Sequence, residues 1–326
     1  MKRIVCILGL VLCAMVSVSA QIDERLYVQT DKDFYLSGEN LYMNVYGMDG
    51  EGRLLDFSKV AYVELLGDAY NAVRVKVALH KGRGYATVKL PFSLSSGIYE
   101  LVAYTRWMRN DGESVFFRKP VAVFNSLRYS NTMDRLEFVE TDAAFHADFS
   151  VTENLQVRTE KASYGPRERV KLMLTHLPDS ADVSISVVRE DMYMPQKDWD
   201  AYQNHATEAV GKSVGSFLPE LEGMMIESRF TPLEEGASII RPNLSIKGKD
   251  LHYYAGQVKQ DGRVVFYTPL LENMKEMVAS VESRGRLEMI TPFVAIPPQQ
   301  MQALHLYKNQ ENNLLERCMQ VQAARF

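Results

Sequence analysis

Tyr27–Gly47 reads YVQTDKDFYLSGENLYMNVYG. It sets Asp31 and Asp33 one residue apart, adds a Ser37-Gly38-Glu39 turn and holds four tyrosines. In a regular strand alternate side chains share a face. The two aspartates therefore suit either a metal or acid–base carboxylate pair or the frame of a β-hairpin. A calcium loop needs further oxygen ligands at fixed spacing, and Phe34-Tyr35-Leu36 supplies none. Just downstream, Leu41, Met43 and Val45 alternate with Tyr42, Asn44 and Tyr46, the period of a half-buried strand.

The stretch occurs twice. Leu26–Val45, LYVQTDKDFYLSGENLYMNV, aligns without gaps on Leu155–Leu174, LQVRTEKASYGPRERVKLML, at an offset of 129 residues. Leu26, Val28, Thr30, Lys32, Tyr35 and Glu39 recur as Leu155, Val157, Thr159, Lys161, Tyr164 and Glu168. Those are six identities in twenty positions, where ordinary residue usage gives about one or two. The apolar positions 41, 43 and 45 face Val170, Leu172 and Leu174, whereas Asp33 becomes Ala162. A pair required for catalysis would not lose one carboxylate while the alternating packing positions 26, 28, 41, 43 and 45 stay apolar. The recurrence predicts a hairpin with a buried face, and the long offset excludes a solenoid, whose repeats run about 20–50 residues.

Around this pair the chain is rich in short β-type segments: Val60–Leu66, Ala86–Leu90, Tyr99–Tyr104, Pro120–Phe124, Val183–Val188, Leu244–Ile246, Val264–Tyr267, Met277–Val281 and Leu287–Ile290. Gly, Asp, Asn and Ser clusters separate those of the first hundred residues, a spacing expected of antiparallel sandwiches. The predicted class is mostly β, with tandem antiparallel immunoglobulin-like sandwiches and a short C-terminal helix. The boundaries are a leader over 1–20, a first sandwich over 21–125, a packed connector over 126–154 and a second sandwich with an irregular tail over 155–223. A third β-rich unit over 224–298 precedes a helical tail over 299–326, where the chain is expected to be a short or truncated form.

The first residues bear on compartment. Lys2 and Arg3 precede the apolar run Ile4–Val16, and Val18-Ser19-Ala20 offers a cleavage site before Gln21, the pattern of a secretory signal. The expectation is an exported protein, periplasmic or associated with the outer membrane, with no membrane-spanning segment after cleavage. Cys6 and Cys13 leave with the leader, so only Cys318 remains and no internal disulfide can close. Without Lys2 and Arg3, 35 basic residues face 41 acidic ones, a net charge of −6. There is no basic patch, and nucleic acid is not an expected partner.

Patterns that carry chemistry are sparse. The histidines at 80, 146, 176, 205, 252 and 305 form no metal-ligand spacing, and there is no Gly-x-Ser-x-Gly elbow. No catalytic residue, metal or cofactor is expected. The best surface for a ligand is Tyr104, Trp107 and Arg109, an aromatic and cationic group able to meet a sugar or a protein. A core role for Trp107 is the stronger expectation, since a large aromatic in a sandwich is usually packed.

Thr30, Asp31, Lys32, Tyr35, Gly38 and Glu39 resemble the Thr-Asp-Lys-Pro-x-Tyr-x-x-Gly-Glu opening of a macroglobulin-type domain in the alpha-2-macroglobulin superfamily, with Asp33 where proline is common. Ser96-Gly97-Ile98-Tyr99 and Ala103-Tyr104-Thr105 resemble the closing part of that domain. Trp107–Asn110 and Leu218–Gly223 are similar to a narrower group of exported Gram-negative proteins whose macroglobulin domains often precede a TonB-dependent receptor plug-like domain. The resemblance implies a non-catalytic envelope scaffold or binding module, linked to outer-membrane uptake, whose partner is an outer-membrane receptor or transporter component. The superfamily's Cys-Gly-Glu-Gln thioester is missing, so covalent trapping is not implied. Two alternatives are a thioester-free protease inhibitor, with Asp191–Val214 as bait, and a carbohydrate-binding module using Tyr104 and Trp107.

Overall fold

The computed structural model describes residues 22–67, 71–127, 136–139, 156–177, 183–187, 217–269, 276–296, 303–308 and 311–324. The protein is mostly β. The leader and the segment 191–214 lie outside the described residues.

The first unit is a sandwich of eight strands: β1 (Glu24–Thr30), β2 (Phe34–Leu36), β3 (Asn40–Asp49), β4 (Val60–Leu66), β5 (Asn71–Ala78), β6 (Arg83–Lys89), β7 (Gly97–Thr105) and β8 (Phe117–Phe124). One sheet has the order β1-β3-β6 and the other β2-β8-β7-β4-β5. The alternation in β3 does what its sequence predicts: Leu41, Met43 and Val45 are buried and Tyr42 is half exposed. They meet Val63, Leu65 and Leu101 from the opposite sheet in one core. β4 is buried along its whole length, the mark of a strand covered on both faces.

The cover on the second face comes from far along the chain. β12 (Met224–Pro232), β15 (Gln257–Val258), β16 (Arg263–Thr268) and β18 (Gly285–Met289) form one sheet in the order β15-β16-β12-β18. β13 (Asn243–Lys247), β14 (Leu251–Ala255) and β17 (Glu276–Ser280) form another, ordered β14-β13-β17. Ile226, Leu244, Ile246, Val264, Phe266 and Leu287 close a shared core between them. Met224 and Ile296, which flank this unit, instead belong to the core of the first sandwich.

The repeated stretch forms the ladder β10 (Gln156–Thr159) with β11 (Leu172–Thr175). Its register, Val157 opposite Leu174 and Thr159 opposite Leu172, copies Val28 opposite Val45 and Thr30 opposite Met43. The tail differs from expectation at one point. Leu304, inside the helical tail expected over 299–326, lies in β19 (Leu304–Tyr307), which pairs in parallel with β9 (Leu136–Val139) from the connector. The helix α1 is Glu311–Ala323. β19 and α1 bury Leu304, Leu306, Leu314 and Cys318 against Phe34, Leu36 and Ala122 of the first sandwich. Among the described residues no helix is long and apolar enough to cross a membrane.

Candidate functional site

The opening motif is a clamp. Asp31 accepts hydrogen bonds from the Tyr35 hydroxyl at 2.6 Å and the Tyr42 amide at 3.0 Å, which ties the loop between β1 and β2 to β3. The Tyr35 hydroxyl accepts from the Lys32 amide at 3.3 Å. Burial, reinforced by Asp31, pushes its pKa well above the ordinary phenol value. Glu39 accepts the Leu36 amide at 2.9 Å and the Lys32 ammonium at 2.7 Å. Between them Gly38 adopts φ +93°, and a Cβ there would lie 2.2 Å from the Phe92 ring. Asp33 stands apart from Asp31 and pairs with Lys119 at 2.8 Å, while Lys119 also reaches the Thr30 hydroxyl.

Sequence did not show the last member. Arg317, on α1, meets Glu39 in a fork, at 2.7 and 3.0 Å, and donates to the Phe34 carbonyl at 3.2 Å. Burial would raise the Glu39 pKa, but Arg317, Lys32 and the Leu36 amide together outweigh it, and the carboxyl titrates below its ordinary value. The second copy rebuilds the Lys-Tyr-Glu part of the clamp without that arginine, while Glu160, in the place of Asp31, pairs with the Lys171 side chain at 3.1 Å. The Lys161 amide donates to the Tyr164 hydroxyl at 3.0 Å, Glu168 accepts the Gly165 amide at 2.9 Å, and Lys161 pairs with Glu168. Arg167 takes φ +62° where the first copy has glycine. The apolar seat for a helix is missing, because Phe34 and Leu36 are replaced by Ser163 and Gly165.

A second concentration of charge joins the first sandwich to the third unit. Glu220, 1% exposed, accepts from the Tyr62 hydroxyl and the Met225 amide, both at 2.7 Å. Its carbonyl accepts the Lys59 amide at 2.7 Å. Burial raises the Glu220 pKa, an effect its hydrogen bonds only partly offset. Tyr62 and Tyr104 stack, with Phe293 edge-on to Tyr62 and Phe116 stacked on Tyr104. The Tyr104 hydroxyl donates to Glu64 at 2.6 Å and accepts the Val294 amide at 2.8 Å. Asn110 exchanges hydrogen bonds with the backbone of Phe217.

Beside this seam opens a crevice of about 580 Å³, lined by Arg106 and Arg109 of the first sandwich, by Phe217 and by Lys259, Arg263 and Tyr267 of the third unit. Such a volume lies within the roughly 300–1,000 Å³ of ordinary ligand sites. Glu227 bridges Arg106 at 2.7 Å and Arg263 at 3.3 Å, and Arg263 also holds Asp261 at 2.6 Å. Arg109 lies 3.9 Å over the Phe217 ring and donates to the Pro292 carbonyl at 3.3 Å. Burial, and then the neighbouring Arg106, hold its pKa below the ordinary guanidinium value.

The predicted surface of Tyr104, Trp107 and Arg109 is thus divided. Tyr104 is fully buried. Trp107 packs edge-on against Phe57 and donates its indole N–H to the Ile22 carbonyl at 3.0 Å. Arg109 alone reaches the crevice. The three do not make one sugar-binding platform, because β7 ends at Thr105 and the 3₁₀ turn Met108–Asn110 redirects the chain. Among the described residues no three His, Cys, Asp or Glu side chains converge as metal ligands.

No family model matches the chain, and no curated protein matches it. Among solved structures it is similar to Salmonella alpha-2-macroglobulin reacted with methylamine, at 12% identity over 83% of this chain and 15% of that one, with a TM-score of 0.27. It is also similar to the native conformation of E. coli alpha-2-macroglobulin, at 12% identity over 86% of this chain and 15% of that one, TM-score 0.27. The trypsin-activated E. coli protein gives 13% identity over 83% and 16%, TM-score 0.27. The chain therefore spans less than a fifth of the length of these structures. The sandwich architecture rests on the strand registers above and not on these matches.

Proposed function

We propose that this chain is a non-catalytic, exported module of macroglobulin type that serves the cell envelope as a scaffold and binding unit, beside an outer-membrane receptor or transporter component. The observation that carries the proposal is how its buried charges are used. Glu39, Glu220 and Glu227 each hold one part of the chain to another: α1 to the first sandwich, the 217–223 segment to β4, and the third unit to Arg106. Carboxylates committed in this way fix a frame; they are not poised to exchange protons with a substrate. The Lys…Tyr…Glu contacts made in both copies support the macroglobulin resemblance, and the leader pattern supports export.

The test is expression of the full chain with a C-terminal tag in a Gram-negative host. The expected result is a new N-terminus at Gln21, recovery in the envelope fraction and photo-crosslinks from the exposed Tyr42 or Tyr85 to an outer-membrane protein. Cytosolic recovery with Met1 retained would contradict it. So would hydrolysis of a peptide, ester or glycoside abolished by one substitution.

A further inference from the structure

Four cations line the junction crevice, and the carboxylates beside them are unevenly shared. Glu227 and Asp261 serve Arg106 and Arg263. Arg109 and Lys259 have no carboxylate within ion-pairing distance among the described residues. Arg109 has the Pro292 carbonyl and the Phe217 ring. Lys259 has the Gln257 side-chain oxygen at 3.3 Å and lies 5.6 Å from the centre of the Tyr267 ring. A guanidinium stacked on an aromatic face keeps its in-plane N–H groups directed outward, the geometry that grips a planar, two-oxygen acceptor. Burial and repulsion from Arg106 make Arg109 a costly cation, a cost that an anion beside it would relieve.

The lining narrows the class of anion. Met225, Val265, Ile290 and Leu218 supply apolar wall between the charges, so a bare inorganic ion would leave most of the volume unfilled. Glu227 and Asp261 line the same crevice and would repel a doubly charged phosphate, whereas a single carboxylate balances Arg109 and Lys259 with less repulsion. We propose that the crevice between the first sandwich and the third unit binds an organic carboxylate carried on an apolar or aromatic body, with Arg109 as the principal contact and Lys259 as the second. This deepens, and rests on, the binding-module function proposed above. A peptide chain end and a free aromatic acid share this chemistry.

Calorimetry on the purified chain from Gln21 onward, whichever compartment it is recovered from, tests it with four probes: N-acetyl-Ala-Ala-Phe with a free carboxylate, its C-terminal amide, 3-phenylpropionate and phenyl phosphate. The free-acid peptide is expected to bind at least about tenfold tighter than the amide and the phosphate. Arg109→Gln is expected to weaken it by about tenfold or more, and Lys259→Gln by less and in a salt-dependent way. If 3-phenylpropionate binds as tightly as the peptide, free acids are the source; if it binds more weakly, the peptide end is. Either supports the site. Equal binding of acid and amide overturns the proposal, as does binding that survives both substitutions or none at millimolar concentration. Should Arg109→Gln fail to fold, Lys259→Gln, on the turn after β15, decides alone. An envelope crosslink without carboxylate binding removes the crevice and leaves the module; failure of export does the reverse.

Discussion

Replacing Arg317 with alanine should release α1 from the first sandwich while leaving the sandwich folded. The Arg317 and Glu39 side chains are 9% and 13% exposed, and the fork between them is the polar part of a seat whose apolar part is Leu314 and Cys318. Removing one partner of a buried ion pair costs about 3–5 kcal/mol. Glu39 keeps Lys32 and the Leu36 amide, so the lower figure, about 3 kcal/mol, applies. A helix of 13 residues has marginal stability when undocked, so the energy appears as local opening. Cys318 reports that opening directly, being buried at 5% exposure and the one cysteine besides Cys6 and Cys13. Burial also raises its pKa, though Ser126 and Arg317 partly offset this. With opening and closing fast relative to labelling, the rate of thiol modification follows the open population. Arg317→Ala should raise that rate by about two orders of magnitude, the equivalent of about 3 kcal/mol. Glu39→Gln should raise it comparably, and the double variant should add little to either. A rate within about threefold of the parent, or fully additive effects, would refute the clamp as the device that docks the helix.

Four further outcomes follow from the structure. Because the Glu39 pKa is lowered in the folded chain, its contribution to docking is complete above the unfolded carboxylate value and lost as pH falls through the folded one. Exchange protection of the 314–321 amides should fall in that acid range in the parent, but not in an Arg317→Met variant. Gly38→Ala, with φ +93° and the Phe92 ring in the way, should cost about 1–3 kcal/mol and lower the melting temperature by several degrees. Arg167→Gly at the matching site of the second copy should stabilise its ladder by up to about 1 kcal/mol, read as slower proteolysis there. Tyr104→Phe should cost about 2–3 kcal/mol in denaturant titration, since it strips a donor from buried Glu64 and an acceptor from the Val294 amide.

The repeat was legible because its information is local. Alternating Leu41, Met43 and Val45, the Tyr35 hydroxyl three residues from Lys32, and the Glu39 turn each act within one hairpin, and six identities survive in the second copy. The seat of α1 was not legible, for Arg317 reaches Glu39 across 278 residues and nothing in ENNLLERCMQVQA marks its partner. Leu304 misled for a related reason: a short apolar run fits strand or helix, and here the parallel partner Leu136–Val139 decided. Arg109 was singled out with the wrong companions. Tyr104 and Trp107 are neighbours in sequence, whereas Phe217, Lys259 and Tyr267 come together with Arg109 only when the third unit docks. Val60–Leu66 is buried along its whole length, as a strand covered on both faces is, but in sequence it reads only as one β-type segment among several.

The proposed binding site exists only if the first sandwich and the third unit are held together, and native-state hydrogen exchange tests that most directly. The amides of Lys59, Phe217 and Val294 donate across the seam, to the Glu220 carbonyl, the Asn110 side chain and the Tyr104 hydroxyl. All three should be protected to within about tenfold of the β4 amides and open with them as one unit. Exchange at the rate of exposed loop amides, while β4 stays protected, would show two independent sandwiches and no crevice between them.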